Sequence, residues 1–205
     1  MSECERILRE LDATVQEWML VHGRSTSAAS RLLNLHDQAT KTQGQLTADS
    51  GNLPKQRLRL LLAIQIDEIE AILSGLRQHV HDYARVVRQL ESLDQQVNRH
   101  ALADDSGQGG GVDRVAGITP DYVVAAVRDR KAQYVKEYVR RRGLIEDLVL
   151  REKISTAQFA TEWVEAKIDY ATEEDYLERL RLARLARQWQ ANCAEDRLMG
   201  SSKAA

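Results

Sequence analysis

A long heptad repeat in the middle of the chain restricts the possible folds more than any other sequence feature. Between residues 62 and 97, apolar side chains recur at alternating steps of four and three, and the acidic residue Asp94 interrupts them. The stripe consists of Leu62, Ile66, Ile69, Leu73, Leu76, Val80, Tyr83, Val87, Leu90 and Val97. It predicts one helix from Lys55 to Val97, about 65 Å long at the standard helical rise. We expect this helix to be the spine of the fold.

A second apolar row widens the stripe. Leu58, Ile72, Val86 and Leu93 occupy the position before an a site, where a two-stranded zipper usually carries charge, and Gln65 and His79 interrupt the row. The broad apolar face suits packing against two other helices better than it suits a simple parallel homodimer. A bundle made between chains would give the same pattern, so the oligomeric state stays open.

Further segments carry helical spacing and can supply those partner helices. The N-terminal segment is predicted to be helical from about Glu3 to Thr42, as one bent helix or two abutting helices near Gly23. A polar loop that contains glycine is expected to follow it. The segment that opens with Thr119-Pro120-Asp121 has a cap, a first-turn proline and an acid, which predicts another long helix.

Two more helices are expected towards the C-terminus. Ser155 and Gln158 have the spacing of a capping box in front of a short helix that carries Trp163. A final helix is expected from Thr172 towards Trp189, because acidic residues follow Thr172 directly.

The predicted fold class is all-α, an elongated helical bundle built on one long coiled-coil-like helix. Residues 1–98 hold the N-terminal helices and the spine, and residues 119–199 complete the same bundle. Residues 99–118 contain three consecutive glycines and small polar side chains, which predict a flexible linker. Residues 200–205 are expected to form a disordered tail.

The composition agrees with long helices and argues against several classes of protein. Only 5% of the 205 residues are aromatic and two are proline, which is typical of long helices rather than of a β-sandwich. The net charge of -2 gives no general attraction to nucleic acid or to anionic membranes, and no apolar run approaches a membrane span. The charged N-terminus lacks the apolar stretch of a signal peptide, so we expect the cytosol or the nucleus.

The residue types that commonly carry chemistry form no recognisable motif. Cys4 and Cys193 lie near opposite ends of the sequence, and His79 and His81 lie on different helix faces. The glycine run lacks the lysine and the hydroxyl residue of a P-loop. We therefore predict a protein without catalytic residues, metal ligands or a cofactor.

Two oppositely charged segments are the main candidates for a binding surface. Residues 128–142 hold seven bases and two acids, whereas residues 162–178 hold seven acids and one base. The two segments either face each other inside the fold or form solvated helix faces. Alternatively, Arg140-Arg141-Arg142 is a docking patch for an acidic partner or a weak nuclear-import signal.

Aromatic residues extend this candidate site. Tyr134 and Tyr138 share a helix face and, with Trp163, would make an aromatic anchor, although residues at such spacing are more often core. Arg141 lies on the apolar stripe, where its stem can pack while its charge reaches water, and the flanking Arg140 and Arg142 should project towards solvent or a partner. The predicted partner-binding residues are Tyr134, Tyr138, Arg140, Arg142 and Trp163.

The layout resembles the cyclin-dependent kinase-interacting protein family known as CINP. The likeness is clearest from Thr119 to Leu182, where a Thr-Pro helix start precedes the run from Tyr134 to Arg142 and the short helix with Trp163. The other matching parts are Trp18, residues 28–35 and residues 73–90. A sister family of ribosome maturation factors, known as AIRIM, has a similar layout with a comparable basic run that carries tyrosine.

The resemblance implies a non-enzymatic adaptor subunit of a nuclear AAA+ ATPase complex, which also contains a second small helical subunit. Such a complex acts in DNA replication, in genome maintenance and in maturation of the large ribosomal subunit. Family members are also linked to cyclin-dependent kinase and to checkpoint signalling. The expected location is the nucleus, with the cytoplasm as a second compartment.

Two other functions stay open from the residues alone. The heptad stripe suits a structural coiled-coil protein of the kinetochore or cytoskeletal type. The basic residues 128–142 suit direct contact with nucleic acid, although the balanced net charge makes this the weaker hypothesis. Neither a membrane nor a small-molecule substrate is expected as a partner.

Overall fold

The structure, a computed structural model, describes residues 3–48, 54–104 and 120–165, and the single residues Ile168, Glu178, Leu182 and Leu185. Within these residues the chain is all-α and contains no strand, so the predicted fold class is confirmed at that level. The described helices are α1 (Glu3–Thr47), α2 (Lys55–Asp104), α3 (Pro120–Val149) and α4 (Thr156–Val164).

The chain forms two compact units, and the long helices contribute residues to both. One unit comprises Met1–Thr14, Gln89–Ala132 and Ile168–Ala205, and the other comprises Val15–Arg88 and Gln133–Lys167. We refer to them as the first unit and the second unit.

The N-terminal segment is one continuous helix and not two abutting ones. α1 passes through Gly23 and extends to Thr47, so the loop predicted after Thr42 begins five residues later. The hydroxyls of Thr14 and Thr42 donate to backbone carbonyls four residues earlier, at 2.7 and 3.0 Å. These bonds satisfy the polar side chains without competing with the helix, which is why the hydroxyl residues do not end it.

The predicted spine is also a single helix, and it is longer than its apolar stripe. α2 begins at Lys55 as predicted but continues to Asp104, so the boundary drawn between the spine and a linker at residue 98 was wrong. α1 and α2 pack against each other. In the second unit they run antiparallel, because Arg85 binds Glu17 at 2.7 Å while Arg31 pairs with Glu68.

In the first unit, two charges that interrupt the apolar stripes pair with each other. Asp94 of α2 binds Lys131 of α3 at 2.5 Å, and both side chains are partly buried. One turn later on α2 and one turn earlier on α3, Arg128 donates to the Asn98 side chain at 2.9 Å. The pairing explains how both stripes tolerate a charge, since each buried charge has an opposite charge beside it.

The short helix α4 begins where its capping residues predict. The Ser155 side chain accepts a hydrogen bond from the Gln158 backbone N–H at 3.2 Å, which is the N-cap contact expected from the sequence. The reciprocal half of the capping box does not form, because the Gln158 side chain donates to Glu162 at 3.0 Å. α4 buries Phe159 and Trp163.

Three sequence predictions fall outside the described residues. They concern the glycine-rich linker beyond Asp104, the helix from Thr172 to Trp189 as a continuous element, and the tail at residues 200–205. No helix in the described part of the chain combines the length and the apolar character that a bilayer crossing requires.

Leu76 and Leu60 give a matched test of the spine. Leu76 is fully buried and Leu60 is 66% exposed on the same helix. Leu76→Asp should lower the free energy of unfolding by about 4 kcal/mol or more, because it buries an unpaired carboxylate. Leu60→Asp should change it by less than about 0.5 kcal/mol. Equal effects in urea-induced unfolding would contradict the burial assigned to this helix.

Candidate functional site

A buried arginine lies at the centre of the second unit. Arg141 of α3 is fully buried, although its stem was expected to pack while its charge reached water, so that prediction was wrong. Its guanidinium carbon lies 5.1 Å from the centroid of the Tyr83 ring and 5.0 Å from that of the Trp163 ring. The electron-rich faces of two rings therefore take the place of water on this cation.

The rings around Arg141 form two groups, and Arg141 bridges them. In one group, Trp18 lies 4.3 Å from Tyr83 and 4.5 Å from Tyr134 between ring centroids, and the second pair is edge-to-face. In the other group, Trp163 lies 5.1 Å from Phe159. All five rings are fully buried. Because α1, α2, α3 and α4 each contribute to this aromatic cluster, it joins every helix of the unit.

Glu137 supplies the negative charge that Arg141 requires. It lies one turn earlier on α3, is 2% exposed, and accepts a hydrogen bond from Arg141 Nε at 2.7 Å. It also accepts from Arg140 at 2.6 Å. Burial alone would raise the pKa of Glu137, but the hydrogen bonds and charges of the two arginines outweigh it and lower the pKa. The carboxylate is therefore ionised at neutral pH.

His22 completes the cluster from α1. Arg141 Nη2 lies 3.0 Å from His22 Nδ1. Arginine can only donate, so this nitrogen must be the acceptor of a neutral imidazole. Burial, followed by the charge of Arg141, lowers the pKa of His22. Nearby, Ser25 and Tyr83 share a hydrogen bond at 2.8 Å, and burial raises the pKa of the Tyr83 phenol.

Arg140 holds the end of α4 rather than projecting into solvent. It donates to the backbone carbonyls of Glu162 and Glu165 at 2.7 and 2.8 Å, as well as to Glu137. The carbonyls at the end of a helix have no partner within the helix, and a cation also matches its negative dipole end. The expectation that Arg140 faces solvent or a partner was therefore wrong. The basic and acidic segments do meet here, but through backbone carbonyls.

The other predicted site residues are divided between core and surface. Tyr134 and Trp163 are fully buried in the aromatic cluster. Tyr138 is half-buried. Arg142 is exposed and binds Glu146 at 2.9 Å on the next turn of α3. A role in partner binding stays a prediction for all five residues.

A different surface carries the exposed apolar side chains, at the end of the α1–α2 hairpin. On α2, the row that contains Tyr83 repeats every seven residues through Leu76, Ile69 and Leu62. Tyr83 and Leu76 are fully buried, whereas Ile69 and Leu62 are half-buried and the neighbouring Ile66 is 45% exposed. The stripe is therefore covered in its centre and open near its N-terminal end.

This opening follows from the length of α3. Arg141 lies against Tyr83 of α2 and His22 of α1, and α3 ends at Val149. Eight residues separate Arg141 from that end. Because α3 runs antiparallel to α2, its end lies about eight residues before Tyr83 on α2, near Gly75. Beyond that point the stripe residues are half-buried or exposed, so the same face of the hairpin is open there. We call the open stretch the tip groove; its residues are Leu33, Leu62, Ile66, Ile69 and Leu73.

Sequence reasoning placed the groove residues in the core, because the heptad pattern continues through them unchanged. Apolar side chains also run continuously from Leu60 to Ile64 and occupy every face of the helix. Leu60 and Ile64 are 66% and 54% exposed, but they lie on the side of α2 away from the stripe and outside the tip groove. The sequence pattern therefore does not separate the open part of the stripe from its buried part.

The charged groups of the buried cluster take part in packing and ion pairing. Glu137, Arg140 and Arg141 are turned inward and bind one another or the ends of the fold's own helices. No group of three or more histidine, cysteine, aspartate or glutamate residues that could hold a metal ion occurs among the described residues. The tip groove is apolar and partly exposed, which suits contact with a protein segment.

Comparison of the chain with protein-family models, with curated proteins and with solved structures gives no match.

Adjacent arginines allow a test of the capping role of Arg140. Arg140→Gln should lower the free energy of unfolding by about 2 kcal/mol, since it removes charge-assisted bonds to two carbonyls and to Glu137. Arg142→Gln should leave the free energy of unfolding nearly unchanged, because its ion pair is exposed. Thermal unfolding of the two variants checks this, and a larger loss for Arg142→Gln would contradict the assignment.

The lowered pKa of His22 predicts a specific pH dependence. The folded state binds a proton at His22 less readily than the unfolded chain, so its contribution to stability is complete above the ordinary histidine pKa. That contribution is lost as the pH falls from the ordinary histidine pKa through the lowered pKa of the folded state. In urea-induced unfolding, the wild type should lose more stability over this range than His22→Gln. Parallel pH profiles would show that His22 titrates as it does in the unfolded chain.

Proposed function

We propose that the chain is a non-enzymatic adaptor subunit that binds another protein through the tip groove. The observation that carries this proposal is the uncovered part of the α2 stripe, where Leu62, Ile66 and Ile69 are accessible on a hairpin that is well packed elsewhere. Exposed apolar residues beside a groove are the usual mark of a protein contact. An adaptor requires such a surface on a stable frame.

The buried cluster supports a frame rather than a reaction centre. Arg141 and Glu137 are inaccessible, and their hydrogen bonds connect helices of the same chain. A general acid or base must reach a substrate, and a cation–carboxylate pair enclosed by aromatic rings cannot do so without unfolding. This arrangement favours a role in holding the helices in register.

The resemblance to the CINP family supplies the biological setting of the proposal. On that basis the partner is an AAA+ ATPase complex in the nucleus, assembled with a second small helical subunit. Its work would be DNA replication or genome maintenance, together with maturation of the large ribosomal subunit and a link to cyclin-dependent kinase. The resemblance alone supports this setting, whereas the open groove supports the more general adaptor role.

A structural coiled-coil protein is the second candidate, and one observation favours it. The row Leu58, Gln65 and Ile72 is buried along the hairpin in the manner of an antiparallel coiled coil. A rod of this kind would bury its whole stripe on its own helices or on identical copies. The exposure of Ile66 is therefore better explained by an adaptor, whose partner is a different protein.

Direct binding of nucleic acid is less well supported. Several bases of residues 128–142 already bind groups of the same chain: Lys131 binds Asp94, and Arg140 and Arg141 both bind Glu137. Arg142 binds Glu146. Bases that are neutralised within the fold contribute little to counterion release, so a steep salt dependence of binding to duplex DNA is not expected.

Native mass spectrometry of the assembly purified from its own cells tests the proposal. An adaptor should be recovered in a complex with at least one different protein, and an AAA+ ATPase among the partners would support the wider setting. Light scattering on the purified chain separates the alternative, because a homodimeric rod has twice the chain mass and an unusually large radius. Repeated recovery of the chain alone or as a homodimer would contradict the adaptor role.

A further inference from the structure

We infer that the tip groove receives an amphipathic helix of a partner protein, and that this helix carries acidic residues at the end nearest the hairpin tip. The inference rests on the adaptor function proposed above and adds the chemistry of the partner. It follows from the path of α3, from the length of the open stripe and from the charges around it.

The shape of the site favours a helix because the fold already places one on the same face. α3 lies against His22 of α1 and Tyr83 of α2, and ends at Val149. Leu33 follows His22 by eleven residues, or about three turns, so it lies on the same face of α1. An incoming helix would therefore continue the three-helix packing that α3 begins.

The open stretch matches a short recognition helix in length. From Leu62 to Leu73 the helix rises by about 17 Å, which corresponds to about three turns. Groove-binding helices of this length use apolar anchors at spacings of three and four residues, and these spacings fit the stripe on α2.

The charges around the hairpin tip determine the chemistry of the incoming end. The described residues 38–48 and 54–66 contain four bases and no acid. Lys55 already has an interaction within the chain, so the charge that an incoming segment meets is that of Lys41, Arg57 and Arg59. α2 also has no acidic residue in its first turn, so the positive end of its dipole adds to the same field. Acids on the partner would be attracted to this end, whereas bases would be repelled.

The same charges give the partner helix a direction. Further from the tip, the exposed Asp37 of α1 and Glu70 of α2 flank the hairpin. They would disfavour acidic residues along the remainder of the incoming helix. The partner segment should therefore be acidic at one end and neutral or basic at the other, with its acidic end beside Arg59.

Site-specific photocrosslinking of the full chain in its own cells identifies the occupant. A benzophenone amino acid is placed at Ile66, in the groove, and at Leu60, on the opposite side of the same helix. We expect the probe at position 66 to crosslink to an amphipathic segment of another protein that has acidic residues at one end. The probe at position 60 should give much less of this product. The crosslinked peptide is sequenced, so that the positions of its acidic and apolar residues are tested as well as its presence.

Other products at position 66 would overturn the inference. A crosslink to residues 166–205 of the same chain would show an intramolecular cover, and one to a second copy would show a homomeric interface. A crosslink to lipid would assign the basic apolar tip to a membrane surface. If a partner is recovered by native mass spectrometry but crosslinks only at position 60, the adaptor function stands and the groove assignment fails.

A charge reversal tests the acidic end separately. The full chain is titrated with two labelled synthetic helices that share leucines at heptad spacing and differ only in one terminal turn, which is glutamate-rich or lysine-rich. The acidic helix should bind several-fold more tightly, and Arg59→Glu should abolish that preference. Circular dichroism of the variant must match the wild type. Equal binding of both helices, or of neither, would contradict the assigned chemistry.

Discussion

Burial of the Arg141 charge is the constraint on which the second unit depends. A guanidinium enclosed by the fold must replace its hydration, and it does so with the carboxylate of Glu137, the neutral imidazole of His22 and the ring faces of Tyr83 and Trp163. These groups come from every helix of the unit. Sliding one helix past another would separate the charge from a partner, so the cluster fixes the register of all of them.

The position of this cluster also determines which surface is left open. Because Arg141 lies eight residues before the end of α3, the helix ends well before the hairpin tip. The apolar stripe of α2 nevertheless continues to Leu62. The position of Arg141 on α3 thus determines where the tip groove begins, and the stability of the buried cluster supports the shape of the groove. This connection links the packing of the chain to the adaptor function that we propose.

Periodicity and capping residues were sufficient to predict the all-α class, the spine and the start of α4 at Ser155, since these depend on local spacing. Contacts between helices were not predictable in the same way. Asp94 and Lys131 each looked like an isolated defect, and only the register of α2 against α3 shows that they pair. Likewise, the heptad pattern shows which face of α2 is apolar, but not how far α3 extends along it, so Ile66 was assigned to the core.

A double-mutant cycle between Glu137 and Arg141 tests the central role of the buried pair most directly. The free energies of unfolding of Glu137→Gln, Arg141→Met and the double variant are measured in urea. We expect each single change to lower the free energy of unfolding by about 3 kcal/mol. The loss in the double variant should be smaller than the sum of the two single losses by about 2 kcal/mol or more. Additivity within about 0.5 kcal/mol would show that the two charges do not depend on each other, and would contradict the account.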